Sequence, residues 1–287
     1  MNLLRAVNSY LPFKVAVAGR KRDALFTVFD TFCLRAARRD IIQTPFGPIA
    51  LDAAHAPERW LSYAYVNIFN YYRTSELGRY MATLPQRGST FIDVGANLGM
   101  YALVAKSLGF RALLVEPEPR HAAFLQRNAG TFGKVISVAL ADRSGTLPLY
   151  YEEGNSGATS LVPAQGYTRG EIGVPVRTFS DLVGAGELSQ PEDISLIKVD
   201  VEGAESEMVS GMRGFLNGGY RPAIWCEVRG DKSGRAPGSC RQVSAFLAEF
   251  DYRAVELVHG RRRSANPVEF RNRAVFDLLF EHPPSSV

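Results

Sequence analysis

The chain has 287 residues, 46% hydrophobic and 22% charged, with 26 Gly and 16 Pro. These proportions exclude disordered, collagen-like and coiled-coil classes and leave one large domain or one domain with an appendage. The net charge is +4, carried mostly by arginine, with clusters at Arg20/Lys21/Arg22, Arg35/Arg38/Arg39 and Arg261/Arg262/Arg263; so small an excess favours anionic partners only mildly, and each cluster reads first as a solvated face. No stretch approaches the ~20 consecutive apolar residues of a spanning helix. The opening segment is broken by Arg5, Asn8, Pro12 and Lys14, and reads as neither a span nor a signal peptide. Cys33, Cys226 and Cys240 lack the spacing of a zinc knuckle or a disulfide framework, so a reducing cytoplasm is expected.

Residues 1–88 are irregular. They offer a helical pattern over 24–39, a strand-turn-strand signal over 41–51 centred on Pro45-Phe46-Gly47-Pro48, and an aromatic segment over 60–72 that reads as core with a lid role open. A short helix over 76–84 stops at Pro85. From Thr90 the pattern becomes regular, with β-branched runs at 90–94, 112–116, 134–140, 195–201 and 223–228. Apolar stripes of helical period follow, one through Leu98, Tyr101, Ala102, Ala105 and Leu108, another through Met208, Val209, Met212, Phe215 and Leu216. This alternation predicts right-handed βαβ units and a parallel sheet covered on both faces. An insertion over 147–179, rich in Gly and aromatic residues, is placed to carry extra strands over the site, and two late runs, 252–258 and 274–280, have no helix between them and should pair antiparallel at one edge.

In such a sheet ligands bind outside the carboxyl ends of the strands. The first run ends in Phe91-Ile92-Asp93-Val94-Gly95-Ala96-Asn97-Leu98-Gly99, a strand-to-helix turn whose glycines let a backbone approach a ligand and whose helix N-terminus offers free N–H groups. It is either such a binding turn or one tightened for packing alone. A nicotinamide fingerprint wants a second glycine where Asn97 stands, and a side chain there would crowd a pyrophosphate. Asp93, at a buried strand end, is costly to hold as a charge unless paired, and a cationic or amine-bearing ligand would supply the partner. Glu116, about 20 positions on at the next strand tip, is placed to accept both hydroxyls of a ribose, unless it is a surface Glu before a turn. Asp142 ends the third run at Ala139-Leu140-Ala141-Asp142, where it would accept from an exocyclic amine or simply start the turn into Arg143-Ser144-Gly145.

The fourth run, Ile197-Lys198-Val199-Asp200-Val201-Glu202-Gly203-Ala204-Glu205, is the most unusual. Period-2 alternation puts Lys198 and Asp200 on one face, and Glu202 is expected to cap the following helix. Lys198 beside a carboxylate would hold it ionised or itself serve as base; a salt-bridged strand end is the plainer alternative. Glu227, in an otherwise apolar strand, should face Lys198, an arginine or the cavity. With Asp200 it also offers ligands to a hard cation such as magnesium, but two carboxylates without a third ligand leave a divalent metal outside the expected cofactors. The four histidines, His55, His121, His259 and His282, fall away from the strand ends, and no G-x-S-x-G elbow, H-x-x-x-H pair or G-K-[ST] loop points to hydrolase, metalloprotease or kinase chemistry.

Taken together, FIDVGANLGMYAL, VEPEP, ALAD and IKVDVEGAE resemble, in order, the motifs of the FkbM-like family of S-adenosylmethionine-dependent methyltransferases over residues 74–281. The resemblance implies a Rossmann-like class I methyltransferase fold: an α/β, mostly parallel seven-stranded sheet with an antiparallel last strand and helices on both faces. It implies a cofactor whose methionine end lies over Asp93, Gly95, Ala96, Asn97 and Gly99, its ribose on Glu116 beside Pro117 and its adenine near Ala141 and Asp142, with S-adenosylhomocysteine as product. Lys198, Asp200 and Glu202 then line the acceptor edge. Relatives often methylate hydroxyls of sugars or secondary metabolites, so a small-molecule acceptor is expected rather than nucleic acid.

The division expected is an N-terminal helical and hairpin extension, 1–73, capping the acceptor site, and a cofactor-binding domain, 74–287. The reaction would be an in-line methyl transfer to oxygen, with Asp200 or Glu227 as base and Lys198 holding it ionised. The arginine clusters keep RNA or protein open as an alternative acceptor, and the glycine turn keeps a NAD-dependent oxidoreductase open as a second. Oligomeric state is not written in these motifs.

Overall fold

The computed structural model describes residues 41–44, 47–50, 73–85, 89–152, 155–163, 170–187 and 191–283. The expected helix over 24–39, the aromatic segment over 60–72 and the first two arginine clusters lie outside them. Among the described residues no helix is long and apolar enough to cross a membrane.

The described residues open with a hairpin, β1 (Ile41–Thr44) and β2 (Gly47–Ala50), as the strand-turn-strand signal predicts. Helix α1 (Glu76–Met81) follows, capped by Ser75, whose Oγ accepts the Gly78 N–H at 3.1 Å. The regular part alternates β3 (Thr90–Val94), α2 (Met100–Leu108), β4 (Arg111–Val115), α3 (Pro119–Ala129) and β5 (Gly133–Ile136). An inserted set, β6 (Ala139–Leu140), β7 (Gly145–Glu152), β8 (Asn155–Ser160) and β9 (Gly170–Arg177), comes next. After α4 (Phe179–Gly184) come β10 (Ile194–Val199), α5 (Glu205–Ser210), α6 (Arg213–Asn217), β11 (Ala223–Arg229), α7 (Ser239–Ala248), β12 (Arg253–Val258), β13 (Arg261–Ser264) and β14 (Val275–Glu281).

The main sheet has the order β13-β12-β14-β11-β10-β3-β4-β5. Strands β11, β10, β3, β4 and β5 run parallel, and β14 inserts antiparallel between β11 and β12. The sheet has eight strands where seven are expected. The additional one is β13, the Arg261/Arg262/Arg263 cluster itself, turned back on β12 through His259 and Gly260, both at positive φ as a tight hairpin requires. All four β13 residues are exposed, so the cluster is a solvated face, and it supplies the charge that guards a sheet edge against strand addition.

Two other expectations change. The run 134–140 is not one strand: β5 ends the main sheet, while β6 pairs with β9 in a second sheet of order β6-β9-β7-β8, which is the inserted segment. The stripe from Met208 to Leu216 is split into α5 and α6, yet its five apolar residues are all buried together. Side chains alternate through the sheet. Ile92, Ile197 and Ile224 pack on the face covered by α5, α6 and α7, and Phe91, Leu196 and Trp225 on the face covered by α1 and α2. Burial of each such side chain stabilises the fold by about 1.5–3 kcal/mol, which fixes the register that sets the carboxyl ends of β3, β4 and β10 side by side.

Candidate active site

The turn after β3 is built for close approach. The Val115 carbonyl accepts the N–H groups of both Gly95 and Ala96 at 3.0 Å, tying the turn to β4. Gly95 stands at φ +80 and Gly99 at φ +91. Asn97 stands at φ +49, in the left-handed region that Asn tolerates better than most residues, which gives a backbone reason for Asn where a dinucleotide fingerprint has glycine. Its N–H donates to Glu116 Oε2 at 2.9 Å, and the Glu118 N–H donates to Glu116 Oε1 at 3.0 Å. Glu116 is thereby fixed at the strand tip with one lone pair of each oxygen still open.

Asp93 and Lys198 form the buried centre. Lys198 Nζ lies 3.1 Å from Asp93 Oδ1, 3.2 Å from Asp200 Oδ2 and 3.4 Å from the Gly95 carbonyl. Asp93 is expected to find its countercharge in a ligand; the structure supplies it from Lys198, the residue in register with it on the neighbouring strand. Burial raises the Asp93 carboxyl to about 6 in spite of that partner. Burial alone would lower Lys198, but Asp200 and Asp93 outweigh it and hold the ammonium protonated well above its ordinary range.

A second cation organises the carboxylates. Arg229, 3% exposed, donates to Glu205 Oε1 at 2.9 Å, Glu202 Oε2 at 2.8 Å and Glu227 Oε1 at 3.0 Å. Glu202 is not a helix cap: Ala204 occupies the cap of α5, and the Gly203 N–H is taken by Glu205 Oε1 at 2.7 Å. Glu202 instead has φ +57, and Arg235 Nη1 donates to its carbonyl at 3.2 Å. A strained backbone held by two arginines is the kind of conformation that surrounding structure must over-determine. Burial and the Asp200 charge raise Glu202 to about 7, and burial with Asp200 and Glu202 raises Glu227 to about 8. Asp200, Glu202 and Glu227 bring one oxygen each within 4.8 Å of one another, so Glu202 is the third carboxylate that the pair Asp200/Glu227 lacked, and Arg229 already bridges two of the three.

A cavity of about 230 Å³ runs along the carboxyl edge of the sheet. Its wall contains Asp93, Gly95, Ala96, Asn97, Glu116 and Pro117 and, on the β10 side, Lys198, Asp200 and Glu202. Gly99, Glu227, Ala141 and Asp142 are not on that wall. Gly99 caps α2, Glu227 faces Arg229, and Asp142 is exposed with Oδ1 3.7 Å from Arg143.

Several residues of the site have no role assigned to them by the sequence. His121, set aside there, is in the wall: it sits in the first turn of α3, buried, with Nδ1 3.8 Å from Glu116 Oε1. Arg229 stands two residues after Glu227, so the alternation that pairs Lys198 with Asp200 would have found it. Arg235 comes from a loop with no such period, and Thr159 and Ser160 from the second sheet.

A doubly covered α/β sheet with an antiparallel strand inserted beside its last parallel neighbours, a glycine turn after β3 and an acidic residue closing β4 defines the class I methyltransferase fold. A family model for the methyltransferase FkbM domain matches residues 93–254, more than half of the chain, and the chain belongs to the FkbM methyltransferase family. It is 31% identical over 164 residues to the methyltransferase sdnD of Sordaria araneosa, covering 46% of this chain and 63% of that protein. It is 28% identical over 149 residues to the 2-O-methyltransferase NoeI of Sinorhizobium fredii, covering 46% and 60%. The matched part thus spans less than two thirds of either relative. Among solved structures, the N-terminal domain of human METTL16 in complex with SAH aligns with a TM-score of 0.42 and 12% identity over 88% of this chain and 94% of that one.

Proposed function

We propose that the chain transfers a methyl group from S-adenosylmethionine to a hydroxyl of a sugar or another small metabolite. The observation that carries this reading is that one cavity holds both the glycine turn with Glu116 and the Lys198–Asp200–Glu202 edge. The residues fit the cofactor by their donor and acceptor chemistry. Glu116 keeps an open lone pair on each oxygen for two vicinal hydroxyls, the glycine turn presents backbone, and Asp200 adds a partly exposed carboxylate on the β10 side of the wall. Family membership and the printed activity of NoeI support transfer to oxygen.

In this reading Asp93, Gly95, Ala96, Asn97, Glu116 and Pro117 hold the cofactor, with Gly99 shaping the turn. S-adenosylmethionine supplies an electrophilic methyl group when bound. Asp200, on the wall and one-third exposed, accepts the proton of the acceptor hydroxyl at its carboxylate, which Lys198, 3.2 Å from Oδ2, holds in place. Glu202 and Glu227 set the field around it, and Glu202 also faces the acceptor. The proposal includes residues 1–73 as the cap of the acceptor side. One contact ties that segment to the rest of the chain: the Ala50 N–H donates to Asn128 Oδ1 at 2.6 Å and the Asn128 amide donates to the Ala50 carbonyl at 3.1 Å. A cytoplasmic setting belongs to the same reading, supported by the unpaired, buried thiols of Cys226 and Cys240.

Calorimetric titration with S-adenosylhomocysteine beside NADH tests the cofactor. Micromolar binding of the first alone, weakened by Glu116→Ala, is expected, and NADH binding instead would sink the reading. A screen of sugar and metabolite hydroxyls with labelled methyl groups then tests the acceptor.

A further inference from the structure

Glu202 and Gly203 are successive residues at positive φ, +57 and +117, in the turn from β10 into α5. Glycine adopts such angles freely, whereas a glutamate there must be held by its surroundings. The helix does not do so, because Ala204 at its cap has no side chain to bond the free N–H groups. The hold comes from the loop between β11 and α7, residues 230–238.

That loop is closed at its neck. The Gly238 N–H donates to the Gly230 carbonyl at 3.2 Å, and the N–H groups of Gly230 and Asp231 donate to the carbonyls of Ala274 and Arg271 at 3.3 and 3.1 Å. Farther out, Ser233 Oγ donates to the Arg235 carbonyl at 2.7 Å and accepts the Arg235 N–H at 3.3 Å, so the backbone of Arg235 is fixed from both sides. The Arg235 side chain, 14% exposed, then crosses to the β10 turn. Its Nη1 donates to the Glu202 carbonyl at 3.2 Å and lies 3.6 Å from Glu202 Oε2. Its stem covers Gly203 so closely that a Cβ there would stand 2.9 Å from both Cγ and Cδ. Arg229 takes the same Oε2 at 2.8 Å but also binds Glu205 and Glu227. The hold on the Glu202 backbone therefore comes from Arg235, and it reaches the residue that lies on the cavity wall beside Asp200.

We propose that Arg235 is a positioning residue for the acceptor edge of the cavity: presented by the β11–α7 loop, it fixes the Glu202–Gly203 turn and keeps the Glu202 carboxyl on the wall. That this edge receives an acceptor rests on the methyltransferase reading above; the hold of Arg235 on Glu202 stands apart from it.

The test compares the full wild-type chain with Arg235→Met, Arg235→Lys and Arg241→Met, the last cutting the ion pair with Asp231 at the loop neck. Glutamate carboxyl carbons are labelled for magnetic resonance, and Glu202→Gln identifies the Glu202 signal. In the wild type this carboxyl titrates at about 7, among Asp200 of β10, Glu205 of α5, Glu227 and Arg229 of β11, and Arg235 itself. Arg235→Met removes a neighbouring cation and should move the midpoint up, Arg235→Lys should return it towards the wild-type value, and Arg241→Met should leave it in place. Exchange of the Gly203 N–H, which donates to Glu205 Oε1, should quicken about tenfold in Arg235→Met, as expected for one lost charged hydrogen bond. A stem that only packs on Gly203 would alter that exchange without moving the titration. Should Arg235→Met fail to fold, Arg235→Gln, which keeps an N–H donor without the charge, decides by its midpoint. An unmoved Glu202 midpoint on loss of the Arg235 charge, or an equal shift in Arg241→Met, would overturn the proposal. Failure of the wild-type chain to bind S-adenosylhomocysteine overturns the methyltransferase reading instead, and is visible before any variant is made.

Discussion

Gly95 lies directly under the backbone carbonyl of Asp200: a Cβ at Gly95 would stand 1.8 Å from that oxygen. The two turns of the site, one after β3 and one after β10, are thus in backbone contact, and neither can shift without the other. Gly95→Ala should abolish S-adenosylhomocysteine binding and lower the melting temperature. Gly109 offers the control, since it has φ +87 but nothing within 4 Å of a new Cβ. Gly109→Ala should cost only the left-handed penalty of about 1–2 kcal/mol and leave ligand affinity unchanged. Equal losses in the two variants would show that conformation, not contact, fixes Gly95.

Lys198 is the buried countercharge of Asp93. Lys198→Met leaves that carboxylate alone in the interior and should destabilise the fold by about 3–5 kcal/mol, measured by urea unfolding. Adding Asp93→Asn should recover part of the loss, because the uncompensated charge goes with it. A double variant as unstable as Lys198→Met would point to packing of the lysine stem instead.

Burial and neighbouring carboxylates raise Glu202 from 4.5 to about 7 and Glu227 from 4.5 to about 8. The folded chain therefore binds protons that the unfolded chain releases between those values. The contribution of these groups to stability is complete below pH 4.5 and is lost as pH rises through 7 and 8. Glu227→Gln keeps a neutral group at the upper site, and should flatten the fall of the urea midpoint between pH 6 and 8. An unchanged slope would exclude Glu227 as its source.

Distance alone does not rank the ion pairs. Arg111 and Asp193 meet at 2.6 Å, but their side chains are 49% and 37% exposed, so Arg111→Ala should cost no more than about 1 kcal/mol. Arg229 is buried against three carboxylates, and Arg229→Met should cost about 3–5 kcal/mol. Comparing the two by denaturant unfolding checks the ordering.

The strands that hold the site are legible because a strand buried on both faces reads as an uninterrupted apolar run. The expected run over 90–94 coincides with β3, and those at 112–116, 195–201 and 223–228 fall within two residues of β4, β10 and β11. The same period puts Lys198 and Asp200 together. Arginine-rich β13 is hidden because an edge strand carries no apolar signal, and its only mark is the turn at His259-Gly260. His121 is hidden for a different reason. A polar helix start gives no hint that it will be folded against Glu116, a contact made by the β4–α3 turn. The insertion over 147–179 is legible as strands laid over the site, but that Thr159 and Ser160 are the residues reaching the cavity depends on how the second sheet folds, which no local pattern encodes.

The antiparallel insertion of β14 also imposes an order on assembly. Its place is between β11 and β12, yet it is the last of the described strands to leave the ribosome. Until it arrives, β3, β4, β5, β10 and β11 can already form the whole ligand edge, while the β12–β13 hairpin has no partner and β11 presents an open, apolar border. A nascent chain stalled before residue 275 would then display a nearly finished site beside a strand ready to pair with a neighbour.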